Sequence, residues 1–502
     1  MFNPLRRVRK QDRERASTQG YSSEAKQAAR EAERRKQQRR DEARRVPVWR
    51  KAAGGAAALA LAALGFLGGG AAGAVVTAAD RAQQAPITKT HALVSDTPNN
   101  PASADGYRTC SIEALSHKAE ALEFHGYAVD TATGQVLVDD RGEQANAPAS
   151  VMKLLTASAA LATLGPDHRI PTRVYQGADP SEVVLVGGGD PTLSSLAPGI
   201  PSYYSGATAF LSDLAEQVKT ARSKDPALKD VKISRILIDD SLFDGDWNEN
   251  WHQDDRTNGY ISPVTALQVN GDRKDPKAKH SPRSEKPSIA AGEAFAERLG
   301  VPVTEVKDGK PPEGATQLGE VLSEPVSALV GYMLRDSDNT LAESLARLTA
   351  IKRGTGNTFT AIHPAIKQSL KDLGLDVEDM TITDGSGLSG NTRLRPRLVV
   401  ELLQVITSGI GHQQPILDSL PANGGAGTLD KRMTNLPIGS IRAKTGTLNQ
   451  VLGLAGYLHG DQGTEITFAY FVVGDPTSKT NQDALDAITA ATYNCGEDLA
   501  GW

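Results

Sequence analysis

From Val151 to Leu164 the chain is apolar nearly all round, with Met152, Leu154, Leu155, Ala157, Ala159, Ala160, Leu161 and Ala162 between, and the run stops at Gly165-Pro166. A pattern of this kind predicts a helix buried on every side and ended by residues that cannot continue it. A narrower stripe, Val326, Leu329, Val330, Met333 and Leu334, recurs at helical spacing before Ser337-Asp338-Asn339, and Leu341, Leu345 and Leu348 resume it afterwards. Two helices joined by a short polar connection are expected there. Tyr127-Ala128-Val129 and Gln135-Val136-Leu137-Val138 read as a hairpin, and Ile438 to Ala443 leading into Lys444, Val451 to Tyr457 and Ile466 to Val473 read as three further strands. Together they predict an antiparallel sheet flanked by helices. The interval from Lys153 to Ser337 is far longer than a connection between helices needs, so it is expected to hold an inserted domain. Strand-like Glu182 to Val186 and Ile233 to Ile238 open that insert, and Arg273 to Pro287 is a charged, proline-punctuated loop within it.

Composition adds a second entity at the N-terminus. The formal net charge of -5 conceals an asymmetry, because residues 1–51 carry 17 Lys and Arg against 7 Asp and Glu, whereas the remainder carries 38 against 53. No charged residue occurs from Ala52 to Ala79, a stretch long enough to cross a bilayer as a helix. Arg44, Arg45, Arg50 and Lys51 stand just before it, so the positive-inside rule puts the N-terminus in the cytoplasm and the rest outside. A cleaved leader ending at Thr77-Ala78-Ala79 is the alternative, although a basic segment of 51 residues is long for one. The basic tail has only Phe2, Tyr21 and Trp49 as stacking partners, and the anchor already accounts for its charge, so nucleic acid is not an expected partner. Residues 80–105, with Pro86, Pro98 and Pro101, read as a linker.

Three short motifs carry candidate chemistry. Ser150-Val151-Met152-Lys153 opens the buried helix, Ser337-Asp338-Asn339 joins two helices, and Lys444-Thr445-Gly446-Thr447 lies on a strand. Singly each has a bland reading: a serine N-cap with a snorkelling lysine, an N-cap for the second helix, and a strand end with a turn glycine. Ser23-Glu24-Ala25-Lys26, in the charged tail, shows how easily the first spacing arises. Jointly and in this order they are the signature of an acyl-transferring serine enzyme that uses lysine as base. A serine at a helix N-terminus has the positive end of the dipole and free N–H groups beside its hydroxyl, and Lys153 falls on the same face one turn later. Other chemistries lack support. The nine histidines are scattered without a zinc-binding spacing, Gly187-Gly188-Gly189 lacks the lysine of a phosphate loop, and Asp384-Gly385-Ser386-Gly387 reads as a tight turn capped by its aspartate. No metal and no cofactor are expected.

On these three motifs the chain resembles serine D-alanyl-D-alanine carboxypeptidases/endopeptidases of the penicillin-binding protein 4 type, from about Gly126 to Tyr493, with further family-like stretches at Gly187 to Leu193, Leu237 to Phe243, Asp384 to Ser389 and Gly427-Thr428-Leu429. The resemblance implies an α+β fold, a penicillin-binding transpeptidase or serine β-lactamase-like domain with an inserted domain. The implied catalytic domain spans 106–176 and 325–502 around an insert at 177–324, which looks smaller than the family's larger inserts because its second part is reduced to about Ile289 to Val303. Peptidoglycan stem peptides are the implied substrates and β-lactams the implied covalent inhibitors. In that reading Ser150 attacks the carbonyl between two D-alanines, Lys153 takes its proton, and Ser337 relays a proton to the leaving amine. Asn339 binds the peptide carbonyl, while Lys444, Thr445 and Thr447 hold the terminal carboxylate, and Gly446 lets the substrate approach. The N–H groups of Ser150 and Thr447 form the oxyanion hole. Lys444 is expected to lower the pKa of Lys153 by like-charge repulsion. The two cysteines, Cys110 and Cys495, sit near the two ends of the implied catalytic domain. One disulfide is expected outside the membrane, two free thiols being the alternative. A β-lactamase sharing the motifs and an idle wall-binding protein on the same fold are the rival functions.

An intact anchor predicts that the protein isolated from cells stays with the membranes and keeps its basic N-terminus. A soluble product beginning near Asp80 in an intact-mass measurement would instead identify a cleaved leader.

Overall fold

The computed structural model describes residues 110–499, except 303–304 and 461–462. The expected tail, membrane helix and linker lie outside the described residues, and among those described no helix is long and apolar enough to cross a membrane. Five strands, β1 (Glu123–Asp130), β2 (Val136–Asp140), β8 (Ile441–Leu448), β9 (Val451–His459) and β10 (Glu465–Val473), form one sheet in the order β2-β1-β10-β9-β8 with every pair antiparallel. The strand period of two sends alternate side chains to two separate cores. On β9 and β10, Val451, Ala455, Tyr457, Ala469 and Phe471 enter one core, while Leu452, Leu454, Leu458, Phe468, Tyr470 and Val472 enter the other. Both faces are therefore apolar and near-continuous in sequence, which is why the strands read as runs rather than as alternation.

Helix α1 (Met152–Leu164) fills the first core, and every residue from Met152 to Leu161 is buried. It is covered by α4 (Val326–Asp336), α5 (Asn339–Arg353) and α6 (Ile362–Asp372), while α7 (Pro396–Thr407) packs on the sheet. On the other face α8 (Lys479–Cys495) covers the second core and brings Cys495 to Cys110, with a Cα–Cα distance of 5.4 Å and an S–S bond of 2.03 Å.

A second sheet is built from β3 (Arg169–Gln176), β4 (Glu182–Val186), β5 (Arg235–Asp239), β6 (Glu305–Asp308) and β7 (Gln317–Pro325), in the order β6-β5-β4-β3-β7. It takes in Arg169–Gln176, a stretch that local pattern assigns to the first catalytic part, because β3 pairs with β4 on one side and with β7, some 150 residues on, at the other. Such a partner leaves no local trace in the sequence. Helices α2 (Leu211–Lys224) and α3 (Pro287–Leu299) back this sheet, so the stretch around Ile289 is a full helix, started by Pro287 and ended by Gly300 in the left-handed region.

The Cys110–Cys495 bridge closes a loop of 385 residues in sequence separation. Cys495→Ser is expected to lower unfolding stability by about 2–4 kcal/mol, read as a lower urea midpoint. An unchanged midpoint would mean that the termini of the domain are held by packing alone.

Candidate active site

Ser150 lies in a single 3₁₀ turn, Ala149–Val151, that runs directly into α1. Strand β8 passes close against this turn. A Cβ on Gly446 would come within 2.8 Å of the Pro148 carbonyl and 3.0 Å of the Ala149 Cβ, so glycine is needed there for the strand to approach the Ser150 turn. Gly446 thus has a packing role beside the substrate-access role expected for it, its nearest neighbours being the Pro148 carbonyl oxygen and the Ala149 side chain.

Lys153 points back along α1 toward Ser150. Its Nζ is 2.9 Å from Ser150 Oγ, 2.6 Å from Asn339 Oδ1 and 2.7 Å from the Ser386 carbonyl, and the side chain is fully buried. Asn339 Nδ2 donates to the Tyr260 carbonyl at 3.1 Å, which fixes the amide with its oxygen toward Lys153. Two of the three partners can only accept, so a neutral lysine amine has both N–H bonds engaged and its lone pair left for the Ser150 hydroxyl.

The Ser337-Asp338-Asn339 connection departs from regular helix at both ends. Ser337 sits at φ 59° in the left-handed region and ends α4, and Asp338 caps α5 by accepting from Leu341 N at 2.9 Å. The reversal turns Ser337 Oγ toward Lys444 Nζ at 2.8 Å and Asn339 toward Lys153. Lys444 also donates to the Thr445 carbonyl at 2.8 Å, and its side chain is wholly buried. A cleft of about 300 Å³ is lined by Ser150, Ser337, Asn339, Thr445 and Thr447, so Lys444 stands behind the cleft wall whereas the two threonines are in it. All seven motif residues singled out from sequence thus meet at one place.

Burial is the main reason both lysines hold their protons weakly. Desolvation brings Lys153 down to about 8, against Asp384, Glu343 and Asp338, which favour its charged form. Lys444 is pushed well below its ordinary value, first by burial and then by the charge of Lys153. The expected direction for Lys153 holds, but its principal cause is the loss of water and not repulsion by Lys444.

Several site groups carry no motif of their own. Glu343 accepts from Gly385 N at 3.0 Å and Ser386 N at 2.7 Å, and Asp384 accepts from Gly387 N, Ser389 N and Trp251 Nε1. The tight turn read at Asp384 is present, and what it presents is the Ser386 carbonyl to Lys153. Burial, and after it the neighbouring Asp384, raise the Glu343 carboxyl group to about 8. Thr428 bonds Thr445 across the cleft, Oγ1 to Oγ1 at 2.8 Å, and Gly427-Thr428 was its only sequence signal. Tyr203, Tyr260, Lys279 and His280 reach the cleft from the insert, and only their charge and aromaticity set them apart in the sequence.

A family model described as D-Ala-D-Ala carboxypeptidase 3 (S13) matches residues 109–282 and 267–492. The chain is 35% identical over 405 residues to carboxypeptidase DacB of Mycolicibacterium smegmatis, covering 78% of this chain and 84% of that protein. It is 28% identical over 455 residues to the D-alanyl-D-alanine carboxypeptidase of Actinomadura sp., covering 73% and 80% respectively. In fold it is similar to a crystal structure of penicillin binding protein 4 from Haemophilus influenzae, with a TM-score of 0.62 at 22% identity over 76% of this chain and 98% of that one. The mixed α+β penicillin-binding architecture is shared with it.

Because a base must be neutral to accept a proton, acylation of Ser150 is expected to rise with pH through about 8 and then level off, following deprotonation of Lys153. Stopped-flow acylation by a chromogenic penicillin across pH 6 to about 10 measures this limb. A flat profile would show that Lys153 is not the titrating base.

Proposed function

The chain belongs to the D-Ala-D-Ala carboxypeptidase 3 (S13) family, and from that membership we propose that it cleaves the terminal D-alanyl-D-alanine bond of peptidoglycan stem peptides through an acyl-enzyme on Ser150. The observation that carries this reading is the threefold hydrogen bonding of Lys153, which leaves one lone pair and aims it at Ser150 Oγ. Ser150 attacks the carbonyl of the penultimate D-alanine while Lys153 takes its proton, and the N–H groups of Ser150 and Thr447, both on the cleft, receive the developing oxyanion. Ser337 accepts a hydrogen bond from Lys444, so its own O–H is free to be given to the leaving amine, and the proton that Lys153 took from Ser150 replaces it on Ser337 Oγ. Asn339 spans Lys153 and the bound peptide. The hydroxyls of Thr445 and Thr447 meet the terminal carboxylate, whose arrival favours the protonated form of the buried Lys444 amine behind Ser337 and Thr445. Water then attacks the acyl carbonyl and frees Ser150. A penicillin, whose strained amide enters the same sequence of steps, stalls it as a covalent adduct. The uncharged segment 52–79 behind a basic tail supports the further reading that the enzyme is anchored with its catalytic part outside the membrane, where peptidoglycan lies.

Ser150→Ala is expected to form no penicillin adduct, and peptide mapping of the wild-type adduct should locate it on Ser150. Label on another serine would remove the assignment. Lys444→Ala is expected to lose more kcat/KM with a substrate ending in a free carboxylate than with its C-terminal amide, by about 1.5–3 kcal/mol for a charged interaction. Equal losses on the two substrates would show that Lys444 serves Ser337 alone.

A further inference from the structure

We propose that Arg273, contributed by the inserted segment, is a positioning residue that holds the Ser337-Asp338-Asn339 turn in its reactive shape; the inference rests on the function read above. Asp338 separates the two residues that touch the lysines, Ser337 on Lys444 at 2.8 Å and Asn339 on Lys153 at 2.6 Å. Any shift of the Asp338 carboxylate therefore moves both lysine partners at once. One of its oxygens caps α5, and the other accepts from Arg273 Nη2 at 2.7 Å and from Tyr204 OH at 3.1 Å.

The pair is sealed from water, with both side chains only 2% exposed. The guanidinium is itself held on three sides. It lies 3.7 Å from the centre of the Tyr203 ring, donates from Nη1 to the Asn270 carbonyl at 3.2 Å, and stacks over Tyr204 at 4.9 Å. Nη2 alone reaches the carboxylate while Nη1 is spent on Asn270, so a planar group fixed in this way offers Asp338 one N–H in a set direction as well as a neutralising charge. The insert then holds the next two residues too, since Asn339 Nδ2 donates to the Tyr260 carbonyl at 3.1 Å and Ser262 N donates to Thr340 Oγ1 at 3.2 Å.

The turn needs such support. Ser337 occupies the left-handed region at φ 59°, a conformation that a residue with a side chain keeps only where its surroundings impose it. Although burial favours a neutral Asp338, Arg273, the cap from Leu341 and Arg283 outweigh it and hold the carboxyl below its ordinary range. Arg273 thus keeps a charged, directed carboxylate between two catalytic side chains, and the insert acts as a wall that shapes the turn from outside.

A role in packing alone would lower the melting temperature and the number of competent molecules but not the turnover of each one. The test therefore measures kcat and KM on an acyl-D-alanyl-D-alanine peptide per active site titrated with fluorescent penicillin, in the full chain. Arg273→Lys keeps the charge but not the fork, and should lose about tenfold in kcat with KM within about twofold. Arg273→Met should lose about a hundredfold, and adding Asp338→Asn, which removes the stranded charge, should recover part of that loss. Wild-type kcat per titrated site in Arg273→Lys, whatever its melting temperature, would overturn the proposal, and that variant decides the matter should Arg273→Met fail to fold. Failure of the wild type to form an adduct on Ser150 would instead remove the functional reading beneath it.

Discussion

The buried amine of Lys153 is the point at which the structure converges. A lysine with no exposure to water is costly to charge, and its pKa accordingly falls to about 8. Yet the group must still have every polar direction filled, and the fold fills them from three separate elements: Ser150 in the turn before α1, Asn339 at the start of α5, and the Ser386 carbonyl in the turn after Asp384. Of the helices that bury α1, α5 delivers Asn339, whereas Ser150 and Ser386 come from turns at the same end of the helix.

The same requirement explains the polar groups packed around the lysines. Glu343 and Asp384 are fully buried carboxyl groups whose oxygens accept from backbone N–H groups and, for Asp384, from Trp251 Nε1, and these bonds shape the turn that carries Ser386. Lys444 solves a related problem on the other side of the cleft. Held by Ser337 and the Thr445 carbonyl, its amine stands behind the wall without filling the cleft. The close passage of β8 over Pro148 and Ala149, which only glycine at 446 allows, ties this second lysine to the Ser150 turn.

The insert completes the site from outside. Its sheet begins on the far side of α1 at Arg169 and returns at Pro325, directly before α4, so the segments between fold back over the Ser337 turn. Tyr204, Tyr260, Ser262 and Arg273 each bond one of three consecutive residues there. The Ser337 turn, in an unfavourable backbone conformation, is thereby bound by α4 and α5 within the domain and by the insert.

The sequence by itself determined the elements whose cause is local. The all-round apolar run marked α1, the two stripes marked α4 and α5, and the β-rich runs marked all five strands of the first sheet, because helix and strand periods are written in neighbouring residues. Ser150, Lys153, Ser337, Asn339, Lys444, Thr445 and Thr447 were legible for the same reason, each lying in a short motif of fixed spacing. Only the tertiary structure decided what depends on distant partners. The extension of the second sheet to Arg169, the Ser386 carbonyl on Lys153, the Arg273–Asp338 pair and the packing use of Gly446 all join residues far apart in the chain, and no local period records them. Burial likewise belongs to the assembled fold: Lys153 and Lys444 are ordinary lysines in sequence, and it is the exclusion of water by surrounding elements that turns them into weakly protonated groups.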